Sequence, residues 1–346
     1  MSYLFAFLAI TFIIFIHELG HFITAKQAGM KVERFGIGMG PTIQIGKFKL
    51  AFTRGDTEYC ICWFPIGGFC QIKGEEEDTS EPDSYNAKPP WSKFKVAFSG
   101  PFTNILVAFI ILIVLFMSVG DPSYYAQIQE VKEGMPAIEA GFKAEDIIVG
   151  IGETKPVEWS KIQSIISENI GKPVHLIIKR EEEYEGITVN PVALEGRGVI
   201  GVLVKGYPKK LTPGESILHT FRKMGQFFEQ FLLFIGRVFT GNVRSEEVGG
   251  IFSIYKVAKQ SAAESMSSLL FFIAFLSLNL GVLNLFPFPP LDGGKIVFAL
   301  LEALLRRKIN KKAEIWINVV GFVLLMSLMI YVNFLDIKNL ILSRFK

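Results

Sequence analysis

Four stretches of the chain are apolar almost without interruption: residues 3 to 25, 96 to 119, 267 to 286 and 314 to 334. Each is close to the ~20 residues that a helix needs to cross the hydrocarbon of a bilayer, so each is expected to span it. The first is read as a retained helix and not as a cleaved signal peptide. It has no positively charged leader, and the apolar run continues through His17 and Glu18 toward Lys26, past any small-residue cleavage site.

Between the spans the pattern changes. Residues 32 to 74 alternate apolar and polar side chains between glycines, as in Gln44 to Phe52 and Glu58 to Phe64, which predicts hairpins forming a small sheet. Residues 121 to 210 have ordinary globular composition, with an amphipathic helix near 159 to 169 and an alternating strand at His175 to Lys179. Residues 214 to 265 set Phe227, Phe228, Phe231, Leu232 and Phe234 against His219, Arg222, Lys223, Glu229 and Arg237. Such helices are expected to lie on the outer membrane surface or to clamp the globular insert, their charges arguing against a fifth span.

Composition agrees with a membrane protein: half of the 346 residues are hydrophobic and the mean hydropathy is +0.38. The net charge of +3 comes with no basic cluster interleaved with aromatics, so no nucleic-acid partner is expected. Where the charges lie is more informative. The connection between the third and fourth spans carries Arg306, Arg307, Lys308, Lys311 and Lys312, which by the positive-inside rule belongs in the cytoplasm. The first loop is then cytoplasmic as well, and the insert and both termini lie outside. Cys60, Cys62 and Cys70 all fall on that reducing side and are expected as free thiols, a metal site on Cys60-x-Cys62 being the minor alternative.

The first span contains Ile16-His17-Glu18-Leu19-Gly20-His21. Histidines four apart share one helix face and can bind one Zn²⁺ through two ring nitrogens, with Glu18 in reach of a water as general base. Ionisable side chains in a spanning helix cost about 2.5–3.5 kcal/mol each, which argues for a compensating ligand over a chance pattern. A catalytic zinc usually takes three protein ligands and keeps one open position. Asp292 is the candidate third ligand, in Asn284-Leu285-Phe286-Pro287-Phe288-Pro289-Pro290-Leu291-Asp292-Gly293-Gly294, where three prolines break the span at membrane depth. The alternative is that Asp292 caps the helix that follows.

With these two motifs the chain resembles the site-2 protease family, in particular its bacterial RseP-type members with a PDZ domain, over nearly its full length from Ile16 to about Val320. The resemblance implies a polytopic α-helical membrane protein with four transmembrane helices, a membrane-associated β-hairpin region and an inserted extracytoplasmic PDZ domain of α+β type. Its domains would be 1–120 (helices one and two with the hairpin loop), 121–210 (PDZ), 211–265 (amphipathic linker helices) and 266–346 (helices three and four). It further implies a zinc metalloendopeptidase that cuts single-span membrane proteins, such as anti-sigma factors or remnant signal peptides, in or near their spanning segment. His17, His21 and Asp292 would hold Zn²⁺, Glu18 would be the catalytic base and Asn284 would bind substrate near the scissile bond. Gly38, Met39 and Gly40 resemble the membrane-dipping hairpin, whose edge could pair with an unwound substrate. Pro65 to Phe69 is similar to the same hairpin.

Ser99-Gly100-Pro101 opens the second span with small residues, expected to pack against the first, with Asn104 hydrogen-bonding across the contact. The PDZ-like insert carries Glu145 where the family usually has glycine, and Val248-Gly249-Gly250-Ile251 departs from the usual G-P-x-G. Besides substrates and the bilayer, the expected partner is an extended peptide at the PDZ domain. By connectivity that domain is expected to stand over the mouth of the site. A noncatalytic PDZ membrane receptor and a zinc transporter are the rival readings, neither of which needs Glu18 beside the first histidine.

Overall fold

The computed structural model describes residues 2–46, 48–75, 77, 79, 81–194, 196–240 and 250–342. In chain order, α1 (Ser2–Gln27) leads into β1 (Val32–Thr42), β2 (Gln44–Ile45), β3 (Phe48–Lys49), β4 (Ala51–Arg54) and β5 (Thr57–Ile72), and then α2 (Pro90–Ser118). Next come β6 (Asp121–Val131), α3 (Pro136–Glu139), β7 (Ile147–Ile151), α4 (Trp159–Glu168), β8 (Val174–Arg180), β9 (Glu183–Val189), β10 (Val192–Leu194), β11 (Arg197–Val199) and β12 (Val202–Lys209). The chain closes with α5 (Pro213–Phe239), α6 (Ile251–Glu264), α7 (Met266–Leu285), α8 (Asp292–Leu305) and α9 (Lys311–Leu342). Its contacts separate into two units, Met1–Leu112 with Thr220–Lys346, and Ile113–His219.

Four helices of the described residues are long and apolar enough to cross a membrane: α1, α2, α7 and α9. They fall where the hydropathy pattern puts them. Small residues set how closely they approach. A Cβ added at Gly20 of α1 would lie 2.6 Å from the Ser99 carbonyl of α2, and one at Gly281 of α7 would lie 2.9 Å from the Pro101 carbonyl. Part of the α5 stripe is covered. Met224, Phe227 and Phe231 pack on Ala108 of α2 and on Ala274, Leu278 and Val282 of α7, with the Phe227 and Phe275 rings 5.7 Å apart. Helix α6 packs on α1, α7 and α9, and its Ser253 amide donates to Asp336 of α9 at 3.0 Å. Both helices thus dock against the long apolar helices along part of their length, while Phe228 and Leu232 of the α5 stripe stay exposed. Val248 and Gly249 lie outside the described residues.

The predicted hairpins form the sheet β1-β5-β4 beside α1. Strand β1 has partners from both halves of β5, Phe35 facing Tyr59 and Cys70, and Gly36 facing Cys60 and Phe69. Its own edge is thus occupied over that stretch. The second half of β5, which pairs only with β1 among the described strands, is the one left open.

The second unit holds the five-stranded antiparallel sheet β12-β6-β7-β8-β9 and the ribbon β10-β11. Ile162 and Ile166 of the amphipathic α4 are buried with Ile128, Ile148, Leu176 and Ile178 of the sheet. Glu145 adopts φ +72°, the left-handed conformation that favours glycine. Arg180 grips the neighbouring Asp146 with two hydrogen bonds of 2.7 Å, while His175 is exposed and its Nδ1 lies 3.0 Å from the Thr188 hydroxyl.

Candidate active site

The periodicity of α1 brings His17 and His21 to one face, where their Nε2 atoms lie 3.2 Å apart. Asp292 reaches them because α7 stops at Leu285, where the Pro287, Pro289 and Pro290 nitrogens cannot donate to a helix, and α8 restarts at Asp292 itself. The turn between is tight enough that a Cβ at Gly293 would lie 2.0 Å from the Phe286 carbonyl. Leu291, not Asp292, is the N-cap residue, and the aspartate side chain makes no cap. Its Oδ2 instead lies 2.9 Å from His17 Nε2 and 3.3 Å from His21 Nε2.

All three residues are buried, 6 to 8% exposed. The Nδ1–H of His21 donates to the Val96 carbonyl at 2.7 Å, which leaves Nε2 of the neutral ring as a bare lone pair facing a carboxylate oxygen. Two lone pairs opposed at that distance call for a cation between them. The separations of 2.9, 3.2 and 3.3 Å match one face of a tetrahedron around zinc, whose edge is about 3.3 Å for bonds of ~2.0–2.1 Å. Among the described residues this is the one group of three such side chains spaced to hold a metal ion; Cys60 and Cys62 are free and buried and form no such group.

The surroundings shape the group. Gly100 of α2 gives His21 its room, since a Cβ there would lie 2.2 Å from Nε2. Asn104 is fully buried in α2, with Nδ2 3.4 Å from His17 Nδ1 and Oδ1 without a partner. Rotating that amide turns Oδ1 toward Nδ1, the arrangement that holds a ligating imidazole with Nε2 free. Lys295, one turn beyond Asp292, donates to Glu75 Oε1 at 2.7 Å and stands 3.8 Å from Asp292 Oδ1, the oxygen not shared with the histidines. Lys311 of α9 donates to the Glu75 carbonyl at 2.7 Å, so Glu75, three residues past the end of β5, is held from two helices.

Glu18 lines a cavity of 570 Å³ together with Phe69, Cys70, Glu75, Lys295 and Phe322. Burial pushes the Cys70 thiol far above its usual range, so the sulfur stays protonated. Gly68 in the second half of β5 runs close to Glu18, where a Cβ would lie 3.4 Å from Glu18 Cγ. Met39 is exposed, and a Cβ at Gly40 would meet the Phe64 ring. Asn284 is half-buried in the last turn of α7. Sequence reading expected Asn104 to hydrogen-bond across to the first span without naming His17 as its partner, placed Gly68 only within the hairpin segment, and passed over Lys295 and Glu75. Asn104 sits eight residues after Val96, on the face that receives His21, which becomes visible only once the two helices are docked.

The model of peptidase family M50 matches residues 5–328. A protein of Clostridium perfringens whose name calls it a candidate zinc metalloprotease is 36% identical over 97% of this chain and 98% of its own length. The regulator of sigma-W protease RasP of Bacillus subtilis is 26% identical over 95% of this chain and 96% of its own. The zinc metalloprotease RasP of Oceanobacillus iheyensis is 29% identical over 94% and 96%. Among solved structures, the PDZ domain of an SdrC-like protein from Listeria monocytogenes covers 23% of this chain and 85% of that domain at 21% identity. Its TM-score of 0.21 carries no argument about fold.

Proposed function

This chain belongs to peptidase family M50, the site-2 protease family, and from that premise we propose that its zinc is held by His17, His21 and Asp292 with Glu18 as the catalytic base. It is a multi-pass membrane zinc metalloprotease of the intramembrane type. The observation that carries the assignment is the convergence of three buried donors, 2.9 to 3.3 Å apart, on one side of the residue that lines the 570 Å³ cavity.

Bound Zn²⁺ supplies a Lewis acid that activates water near neutral pH and polarises a carbonyl. Glu18 accepts the proton released as the water oxygen bonds to the scissile carbon. It then delivers that proton to the nitrogen as the C–N bond breaks. Asn104 and the Val96 carbonyl keep each imidazole presenting Nε2, and Lys295, 3.8 Å from the free oxygen of Asp292, adds a positive charge beside the carboxylate. Asn284 contacts the substrate carbonyl. The open edge of the second half of β5 beside Glu18 is the one on which an unwound substrate strand adds, with Gly38, Met39 and Gly40 at the far end of the hairpin.

The substrates are single-span membrane proteins, sigma-factor regulators or remnant signal peptides among them. Residues 121–210 form a PDZ domain outside the cell, whose size limits what reaches the site or whose groove takes a peptide; 211–265 link it to helices three and four. The active site faces the cytoplasm, the side to which the five-residue basic loop assigns the first loop. Glu18 weighs against a zinc transporter and a noncatalytic receptor, since neither uses a base beside the ligands. The test is cleavage of a model single-span substrate: it stops with a zinc chelator and in Glu18→Gln, and persistence in both ends the proposal.

A further inference from the structure

Four cations stand around one pocket where α2 begins and α8 ends. Lys88, Arg306, Arg307 and Lys308 line a cavity of 610 Å³ with Trp91 and Glu302. The acidic wall residue is already satisfied: Lys93 donates to Glu302 Oε2 at 2.6 Å and the Ile309 amide to Oε1 at 3.2 Å. Lys88 and the three residues of the 306–308 run have no acidic partner among the described residues. The pocket therefore keeps a surplus of positive charge. Arg306 closes α8 in a left-handed conformation, φ +53°, and the three consecutive cations are all exposed there.

An apolar surface begins at the same place. On α2, Trp91, Phe94, Phe98 and Phe102 recur at successive turns of one face, their rings 5.2, 5.8 and 5.6 Å apart. Trp91 at the pocket is 62% exposed, and Phe98 and Phe102 are exposed beyond it. On α8, Leu301, Leu304 and Leu305 are exposed directly before the arginines, Leu304 at 78%. A cationic cup that opens onto an aromatic ridge of a spanning helix has the two-part chemistry of an amphiphile with an anionic head. A soluble anion would use the cup and leave the ridge bare.

We propose that this pocket binds the headgroup of an anionic glycerophospholipid, with acyl chain lying along the Trp91–Phe102 ridge. The site rests on the placement of α2 in a membrane and is independent of the zinc assignment. It ties the C-terminal end of α8, the helix that begins with Asp292, to the start of α2.

The test uses the full-length chain in detergent, titrated with phosphatidylglycerol or phosphatidylcholine, with bound lipid counted by native mass spectrometry. Phosphatidylglycerol is expected to bind at least tenfold more tightly. Replacing Arg306, Arg307 and Lys308 by Gln should lower its affinity by roughly fivefold per charge and leave phosphatidylcholine unchanged. Arg306→Lys with Arg307→Lys should retain it, and Trp91→Ala should weaken it with all four cations in place. Zinc content equal to that of the parent certifies each variant as folded. If the triple Gln variant fails that control, the Trp91→Ala and Lys-retaining variants decide. Equal affinity for the two lipids, or undiminished phosphatidylglycerol binding in the triple Gln variant or in Trp91→Ala, overturns the proposal. So does displacement of phosphatidylglycerol by millimolar inorganic phosphate, which would make the pocket a soluble-anion site.

Discussion

His21 donates its Nδ1–H to the carbonyl of Val96, 2.7 Å away, so α2 dictates which nitrogen of the ring faces Asp292. The contact needs the helices nearly touching, and Gly100, one turn past Val96, is what permits it. Gly100→Ala should therefore push the His21 ring out of place and lower zinc affinity by ten- to a hundredfold, read by metal analysis of the purified protein. Gly214→Ala, whose Cβ meets nothing within 4 Å, is the matched control. Parental zinc affinity in Gly100→Ala would mean that the imidazole is not confined as described.

Lys295 is expected to position Asp292 and to take no part in proton transfer. Lys295→Met should weaken zinc binding about tenfold by releasing the second carboxylate oxygen, and Lys295→Arg should restore most of it. Competition with a chelator of known affinity measures this without reference to turnover. Unchanged zinc affinity in Lys295→Met would reduce the contact to a surface pairing with Glu75.

The insert is expected to act by size. Deleting residues 124 to 205 and joining the ends with a Gly/Ser linker should increase cleavage of substrates that keep a folded external domain, and leave cleavage of trimmed stubs unchanged. A deletion variant that binds zinc and loses stub cleavage would instead make the insert a required receptor.

Orientation is testable separately. Cysteines introduced near Lys308 into a variant without Cys60, Cys62 and Cys70 should be labelled from the cytoplasmic side only, and ones near Glu182 from outside only. The reverse pattern would invert the topology.

Much of this architecture was legible in the sequence because the bilayer imposes a strict code. Apolar runs located α7 to within one residue and α1 to within two, while α2 begins six residues earlier and α9 ends eight residues later than the runs themselves; a histidine pair inside one of them had no inexpensive alternative explanation. The amphipathic α5 and α6 were legible as helices but not in their docking, because an apolar stripe fits a membrane surface as well as a neighbouring helix. Glu75 was hidden because its partner Lys295 is 220 residues away, and no local pattern encodes such a meeting; Asn104 was expected to bond across to α1, but not to His17, 87 residues away. Lys295, three residues after Asp292 on α8, lay within reach of helical spacing and was passed over. In the sheet, alternation marked the strands of β1 and β5, but not that β5 would supply partners to both sides of β1 and so move the open edge to its own second half.

The most direct measurement compares zinc content and stub-substrate cleavage in Glu18→Gln and Asp292→Asn beside the parent. Glu18→Gln should keep its full complement of zinc and lose cleavage by 10²–10⁴-fold, because the base is gone and the three ligands remain. Asp292→Asn should lose both, since an amide oxygen is a poor substitute for a carboxylate on zinc. Full cleavage in Asp292→Asn, or zinc lost from Glu18→Gln while Asp292→Asn retains it, would contradict the assignment of base and ligand.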